Sequence, residues 1–148
     1  MAATGSAPPI RAARFVISFD NVEVTFSELT GIRSEVESAE ATSTGSTGTT
    51  VHSKAFGEAI PPTVTLTRAV DGSTEIWSWH MAARAADPGA RKPCKLMLQD
   101  PGGRTLLTFV MENAWPSKVD ITGPQPGGSQ AMMETDEFAC DSIIMQQS

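Results

Sequence analysis

The sequence predicts a mainly β domain in which two packed antiparallel sheets form a β-barrel or sandwich, flanked by one α-helix over about residues 73–86. Apolar and polar residues alternate over several short runs, which is the period of a strand with one buried face. The chain also carries 12 Gly and 10 Pro, and many of them stand between these runs as turn signals. Only one segment combines the length, the capping residues and the stop signal of a helix.

The first hairpin is predicted between residues 14 and 29, where two β-rich runs meet at Asp20-Asn21. Both turn residues tolerate the left-handed backbone of a tight turn. Each run alternates, so each predicted strand has one apolar face. The alternating apolar residues are Phe15, Ile17 and Phe19 in the first run and Val22, Val24 and Phe26 in the second.

A mobile hairpin loop is predicted over about residues 40–52, centred on the stretch ATSTGSTGTT at 41–50. This stretch has no charge and no large side chain, so it cannot bury enough surface to order itself. It is either a flexible surface loop or a hairpin arm that becomes ordered against another chain. Pro61 and Pro62 then introduce a strand with Val64 and Leu66 on its apolar side.

The helix is predicted to begin after Asp71 or Ser73, either of which can cap its free N–H groups, and to end at the Asp-Pro-Gly of residues 87–89. Trp77 and Trp79 stand two residues apart in it. Successive helical residues are rotated by about 100°, so these two indoles point about 200° apart and cannot both face one core.

A second hairpin is predicted from residue 92 to residue 115, with Pro-Gly-Gly at 101–103 as its turn. The run around Phe109 is apolar on both faces, which is typical of a strand that is covered on both sides. The stretch at 131–146 closes the chain as one or two strands. The predicted core anchors are Phe15, Phe26, Leu66, Trp79, Phe109 and Trp115.

Composition predicts one domain over residues 1–148, with residues 1–12 as a flexible or extended N-terminal arm. A net charge of -6 without any basic cluster excludes nucleic-acid recognition by sequence. No segment approaches the ~18 apolar residues of a membrane span, so no membrane insertion of the monomer is expected. The amino terminus lacks the apolar region of a signal peptide, and assembly in the cytoplasm is therefore expected.

Residues for catalysis are not found. The only two histidines, His52 and His80, lack the spacing of a zinc motif. Cys94 and Cys140 stand among apolar residues, where a free cysteine behaves as a small buried hydrophobe, although a disulfide stays open. We therefore predict no enzyme activity, no catalytic, metal-binding or cofactor-binding residues and no cofactor. Two other classes remain as rivals: a monomeric ligand-binding β-sandwich module, and a small β-barrel enzyme that uses Asp or Glu.

The order and spacing of four stretches resemble the inner tube, or tail tube, proteins of contractile phage tails and phage-tail-like contractile injection systems. These proteins are related in fold to the haemolysin-coregulated tube protein of type VI secretion. The stretches are FSELTG at 26–31, VTLTR at 64–68, NAWPSK at 113–118 and METDEFACDSI at 133–143. With the residues between them, they cover most of the chain from residue 14 to residue 143.

The resemblance implies a structural subunit that forms hexameric rings, which stack into a hollow tube. A contractile sheath surrounds such a tube and propels it on contraction to deliver cargo. The implied partners are further copies of the chain, the sheath protein, baseplate proteins, tail-terminator or cap proteins, and effector cargo in the lumen. The family has no catalytic residues to transfer, and its particles are released as, or within, extracellular or virion-like assemblies.

The resemblance also assigns roles to the two helical tryptophans. Trp79 matches the family position and is expected to pack on its own sheet, whereas Trp77 is expected at a subunit boundary. The alternative is that Trp77 only lies on the surface under a loop. The predicted subunit or ring-stacking interface comprises Ser43, Thr44, Ser46, Thr47, Thr49, Lys54 and Trp77.

Overall fold

The computed structural model of the protein describes residues 8–44, 48 and 50–147, with only the backbone of Ser43, Thr44 and Val51. Residues 1–7 of the predicted N-terminal arm lie outside this range. The strands are β1 (Arg14–Phe19), β2 (Val22–Phe26), β3 (Glu28–Thr44), β4 (Thr50–Ala69), β5 (Lys92–Gln99), β6 (Thr105–Thr122), β7 (Met133–Ala139) and β8 (Ser142–Gln147). The helix α1 spans Glu75–Arg84, and a short 3-10 turn follows at Pro88–Ala90.

The strands form one antiparallel sheet in the order β2-β1-β5-β6-β7-β4-β3, and β8 pairs with β6 beside this path. The sheet folds into two layers because β6 is shared: its first half pairs with β5 and its second half, from Trp115, pairs with β7. At the ends of the order, β2 and β3 are joined through Ser27, whose amide donates to the Thr67 carbonyl at 3.0 Å. The predicted mainly β fold with one flanking helix is confirmed, and the sheet does not close into a barrel.

The core lies between the two layers and is filled by alternate residues of most strands. Its fully buried members include Ile17, Phe26, Leu66, Leu96 and Phe138. Helix α1 covers one side of this core with Ile76 and Trp79.

The helix is shorter than predicted at both ends. Its N-cap residue is Thr74, whose side chain makes no capping bond. Asp71 does not cap the helix but accepts a hydrogen bond from the Ser73 amide at 3.0 Å, which forms a turn before it. At the other end Ala86 has a φ of 58°, a left-handed conformation that ends the helix. Asp87 then accepts from the Gly89 amide at 2.9 Å and begins the 3-10 turn.

Strand β4 begins at Thr50, well before the two prolines that were predicted to introduce it. The register of β3 against β4 shifts between Arg33 and Glu35, where Pro61 and Pro62 fall in an irregularity. A bulge tolerates proline because the missing N–H is not needed there. The ladder continues outward to the pair Thr44–Thr50, so the hairpin connection is narrower than the predicted range of 40–52.

Candidate assembly surfaces

A two-stranded ribbon, residues 34–44 of β3 and 50–61 of β4, extends beyond the folded sheet. Strand β4 pairs with β7 only from Thr63 to Ala69, so no third strand from the described part of the chain joins the ribbon. At about 3.3 Å per residue, its 11 residues on β3 span about 35 Å. A two-stranded hairpin alone is at best marginally stable in water. The ribbon therefore has the form of an element that needs another surface.

One face of the ribbon carries apolar side chains near its root. Val36 pairs with Ala59 and Ser38 pairs with Phe56, and since alternate pairs share a face these four residues lie on the same side. Phe56 is 95% exposed and Val36 is 56% exposed. An aromatic ring that is almost fully in water, beside a second apolar side chain, indicates a contact surface rather than a part of this subunit's core.

Farther out, the same face becomes charged. Glu40 pairs with Lys54, and Nδ1 of His52 lies 3.1 Å from Oε1 of Glu40. These side chains are largely exposed, so their mutual attraction contributes little to the stability of the subunit. They can instead select the charge of whatever surface covers the ribbon.

Gly57 marks a bulge in the ribbon between the pairs of Val36 and Ser38. A Cβ atom built on Gly57 would lie 2.9 Å from the carbonyl oxygen of Glu37 and 3.0 Å from its Cβ. The two strands come too close here for any side chain on Gly57 without a shift of the backbone.

Strand β8 forms an open edge of the sheet. It pairs with β6 from Ser142 to Gln147, and no further strand pairs with its other side within the part of the chain that the structure describes. Ile144 is 50% exposed and Met145 is 65% exposed, and successive strand residues point to opposite faces. Natural edges are usually protected by charges or proline, and the sequence SIIMQQ has neither. This edge is suited to continuation by another strand.

The outer face of α1 presents a smaller apolar patch. Trp77 is 48% exposed and Met81, one turn later, is 38% exposed. The Trp77 ring lies 6.0 Å from the ring of His80, whose Nδ1 is 2.7 Å from the carbonyl oxygen of Pro116.

Trp79 faces the other way and is 3% exposed. It stacks on Phe19 with ring centroids 4.2 Å apart, and its Nε1 donates to the Ala90 carbonyl at 2.6 Å. The two indoles therefore lie on different sides of the helix, Trp79 in the core and Trp77 at the surface.

The predicted interface residues fall in two places. Lys54 lies on the ribbon, as do the backbones of Ser43 and Thr44, whereas Trp77 lies on α1. Ser46, Thr47 and Thr49 lie outside the described residues. Sequence reasoning missed the apolar residues Val36, Phe56, Ile144 and Met145. The apolar run Ile143–Met145 in an uncharged strand could have predicted an exposed apolar edge. Phe56 gives no such indication, because it stands alone in a polar segment.

The predicted core anchors differ in depth. Phe26, Leu66, Trp79 and Phe109 are buried, while Phe15 and Trp115 are partly buried and pack against the core. The guanidinium of Arg91 lies 4.7 Å from the centroid of the Trp115 ring. Together with residues from the end of α1 and from the 3-10 turn, these two side chains line a cleft of about 310 Å³.

Both cysteines are free thiols in the core. Burial, with a smaller contribution from Cys140, raises the pKa of Cys94 to about 12. Burial, with a smaller contribution from Asp141, raises the pKa of Cys140 to about 11. Neither thiol is therefore a ready nucleophile. Across residues 8–44, 48 and 50–147, no group of three or more His, Cys, Asp or Glu is placed to hold a metal ion. Over the same residues, no helix is long and apolar enough to cross a membrane.

Comparison with known proteins identifies a family and several structures with the same fold. A family model described as T4-like virus tail tube protein gp19 matches residues 11–143. A chain in the cryo-EM structure of the anti-feeding prophage cap (AFP tube terminating cap) has a TM-score of 0.74 and 18% identity, covering 99% of this chain and 97% of that one. No curated protein sequence matches the chain.

Two further structures share the fold. A chain in the extended-state sheath-tube complex of PVC, an extracellular contractile injection system, has a TM-score of 0.71 and 20% identity, covering 95% of this chain and 93% of that one. Hcp1 from Flavobacterium johnsoniae has a TM-score of 0.51 and 14% identity, covering 91% of this chain and 96% of that one.

Proposed function

This chain belongs to the T4-like virus tail tube protein gp19 family, and from that premise we propose that its copies form hexameric rings that stack into a hollow tube. The protein is a structural tube subunit of a contractile injection system and not an enzyme. A contractile sheath surrounds the tube and propels it on contraction to deliver cargo. The particle is released as, or within, an extracellular or virion-like assembly.

The ribbon is the feature that supports the proposed stacking of rings. It extends about 35 Å past the sheet at about 3.3 Å per strand residue, which is far enough to reach over a neighbouring subunit. Its apolar face, with Phe56 95% exposed, is not covered by any other part of the chain that the structure describes. We assign the ring-stacking contact to this face and to the predicted interface residues Ser43, Thr44, Ser46, Thr47, Thr49 and Lys54.

The open edge of β8 is the proposed contact between neighbouring subunits of one ring. A strand of the next subunit that pairs with β8 would satisfy its free backbone groups and cover Ile144 and Met145. The contact is heterologous because two different patches meet, and its repetition forms a ring when the rotation between neighbours closes on itself. Trp77 remains the proposed boundary residue on α1.

The further partners are a sheath protein, baseplate proteins, terminator or cap proteins, and cargo in the lumen. The similar chains from a sheath-tube complex and from a tube-terminating cap support the first and third of these. The proposal that the lumen holds cargo is supported only by the resemblance of this chain to the family.

The test is assembly of the purified chain. Size-exclusion chromatography with light scattering and negative-stain microscopy should show rings or tubes at high concentration. Phe56→Ser should leave a folded subunit that forms fewer and shorter tubes, because the ring contributes nothing to its own core. Ile10→Ser, at a residue that is 48% exposed outside the sheet, is the matched control. A strict monomer at every concentration, also in the presence of the sheath protein, would overturn the proposal.

A further inference from the structure

Two carboxyl groups enter the interior of the fold from the same strand. Glu134 and Asp136 are alternate residues of β7 and therefore share its inner face with the buried Phe138. Glu134 is 6% exposed and Asp136 is 0% exposed. Asp136 lies opposite Leu66 on β4 and Val119 on β6, both of which belong to or pack against the core.

Only Glu134 has a cation. Arg68, 5% exposed, donates from Nε to Oε2 of Glu134 at 3.3 Å and from Nη2 to Oε1 at 3.4 Å. Its Nη1 donates to Oγ of Ser73 at 2.9 Å and to Oδ1 of Asp71 at 3.5 Å. The guanidinium also lies 5.6 Å from the centroid of the Phe26 ring. Arg68 is thus committed to other groups.

Asp136 has no such partner. Both of its carboxyl oxygens are buried, and neither accepts a hydrogen bond from any residue that the structure describes. An ionised carboxylate that is taken out of water without a donor or a cation is very costly, so such a group takes up a proton instead. A protonated carboxyl is itself a donor and can bond to the neighbouring carboxylate.

We propose that Asp136 is protonated in the folded subunit and donates a hydrogen bond from its carboxyl O–H to the carboxylate of Glu134. The cluster then holds one cation, Arg68, one anion, Glu134, and one neutral acid, and its net charge is zero. The protonation of Asp136 makes the stability of the folded subunit depend on pH. This inference concerns the single chain and does not depend on ring formation.

The surrounding charges favour the same state. Burial raises the pKa of Asp136 to about 9, with further contributions from Glu134 and Asp120 and an opposing one from Arg68. Asp120 lies on β6 opposite Thr135 and is exposed, and the remaining acid near Arg68, Asp71, is 65% exposed. Arg68 is the one cation that acts on Asp136 among these groups, and Glu134 already neutralises it.

The sign of the pH dependence follows from proton linkage. Between the ordinary aspartate pKa of 3.8 and about 9, the folded state binds one more proton than the unfolded state. Stability from this group is therefore greatest in acid and falls as the pH rises. One proton corresponds to about a tenfold fall of the folded-to-unfolded equilibrium constant per pH unit.

The first test is urea unfolding of the full chain at one fixed concentration, followed by tryptophan fluorescence from pH 5 to pH 9. Asp136→Asn imitates the neutral acid and cannot ionise. The folded-to-unfolded equilibrium constant of this variant should lack the fall of about tenfold per pH unit that Asp136 gives the wild type. The variant should therefore be more stable than the wild type at pH 9. Glu137→Gln, on the outer face of the same strand, should keep the slope of the wild type. Parallel profiles for the wild type and Asp136→Asn would overturn the proposal.

The second test reads the proton directly. The infrared spectrum of the wild type at pH 7 should contain the C=O stretch of a buried protonated carboxyl, and Asp136→Asn should lack it. Glu134→Gln should lose the band as well, because Arg68 then becomes the counter-ion of Asp136 and ionises it. If both variants fail to fold, the wild-type spectrum alone decides, and the absence of the band at pH 7 contradicts the proposal.

Discussion

Gly57 shows how one missing side chain holds the ribbon together. A Cβ at this position would meet the backbone carbonyl of Glu37 at 2.9 Å, and backbone cannot move aside as the end of a flexible side chain can. We expect Gly57→Ala to separate the two strands locally and to reduce tube formation strongly. The thermal midpoint of the subunit should barely change, because the ribbon is not part of the core.

Gly31 supplies the control, since it lies on β3 at the root of the ribbon and a Cβ there would meet nothing within 4 Å. Gly31→Ala should therefore assemble like the wild type. Tube length by negative-stain microscopy and thermal unfolding by circular dichroism measure the two effects. Equal tube lengths for both variants would show that the close approach at Gly57 is not needed.

Trp115 was expected to be a core anchor, and its partial burial lowers the predicted cost of its loss. Removal of a fully buried aromatic costs about 3–5 kcal/mol, so a ring that is only partly buried should cost less than that. The contact with Arg91 is worth about 0.5–1 kcal/mol at an exposed site. We expect Trp115→Ala to lower the free energy of unfolding by about 2 kcal/mol and Arg91→Ala by less than 1 kcal/mol, measured by urea denaturation. A larger loss for Arg91→Ala would contradict this ranking.

At the scale of elements, the ribbon explains which parts of the fold could be predicted from the sequence. The strands of the first hairpin alternate because one face is buried, and that alternation predicted β1 and β2. The Pro-Gly-Gly turn and the β-rich runs on either side of it predicted β5 and the first half of β6. Among residues 34–42, whose side chains the structure describes, both faces of the strand are exposed, so burial imposes no period of two on this segment. The proline pair hid the continuity of β4, since only the register against β3 shows that they fall at a bulge. Helical geometry alone predicted that the two tryptophans point to opposite sides, whereas the placement of Trp79 against its own sheet came from the family resemblance.

Deletion of residues 42–49 tests the ribbon as an element. Among the described residues between Ile32 and Pro62, none belongs to the buried core, so the shortened chain should fold with nearly the stability of the wild type. Rings should still form, because β8 is unchanged, but they should stack poorly. Light scattering and electron microscopy distinguish rings from tubes. Unchanged tube length would count against a stacking role for the end of the ribbon.

At the scale of the whole molecule, surplus apolar surface was predictable but its location was not. The uncharged, apolar run in the last strand shows that cover is needed, whereas only the sheet order shows that β8 is an open edge. The ribbon extends from the end of the sheet near Arg33 and Thr63, while β8 forms a lateral edge of the sheet beside β6. Two separate surfaces of this kind allow two independent contacts, one along an axis and one around it.

Ile144→Lys tests whether ring closure and stacking are separate. The substitution places a charge on the open edge, which is how natural sheets prevent edge-to-edge pairing. Ile144 is 50% exposed, so the subunit should lose no more than about 1 kcal/mol of stability. We expect monomers and no rings, in contrast to the rings without tubes that deletion of the ribbon end should give. Met132→Lys adds the same charge at a residue that is 49% exposed and away from β8, and it should still form rings. If Ile144→Lys instead forms complete rings, the β8 edge is not the lateral contact, and the closure of the ring must lie elsewhere on the surface.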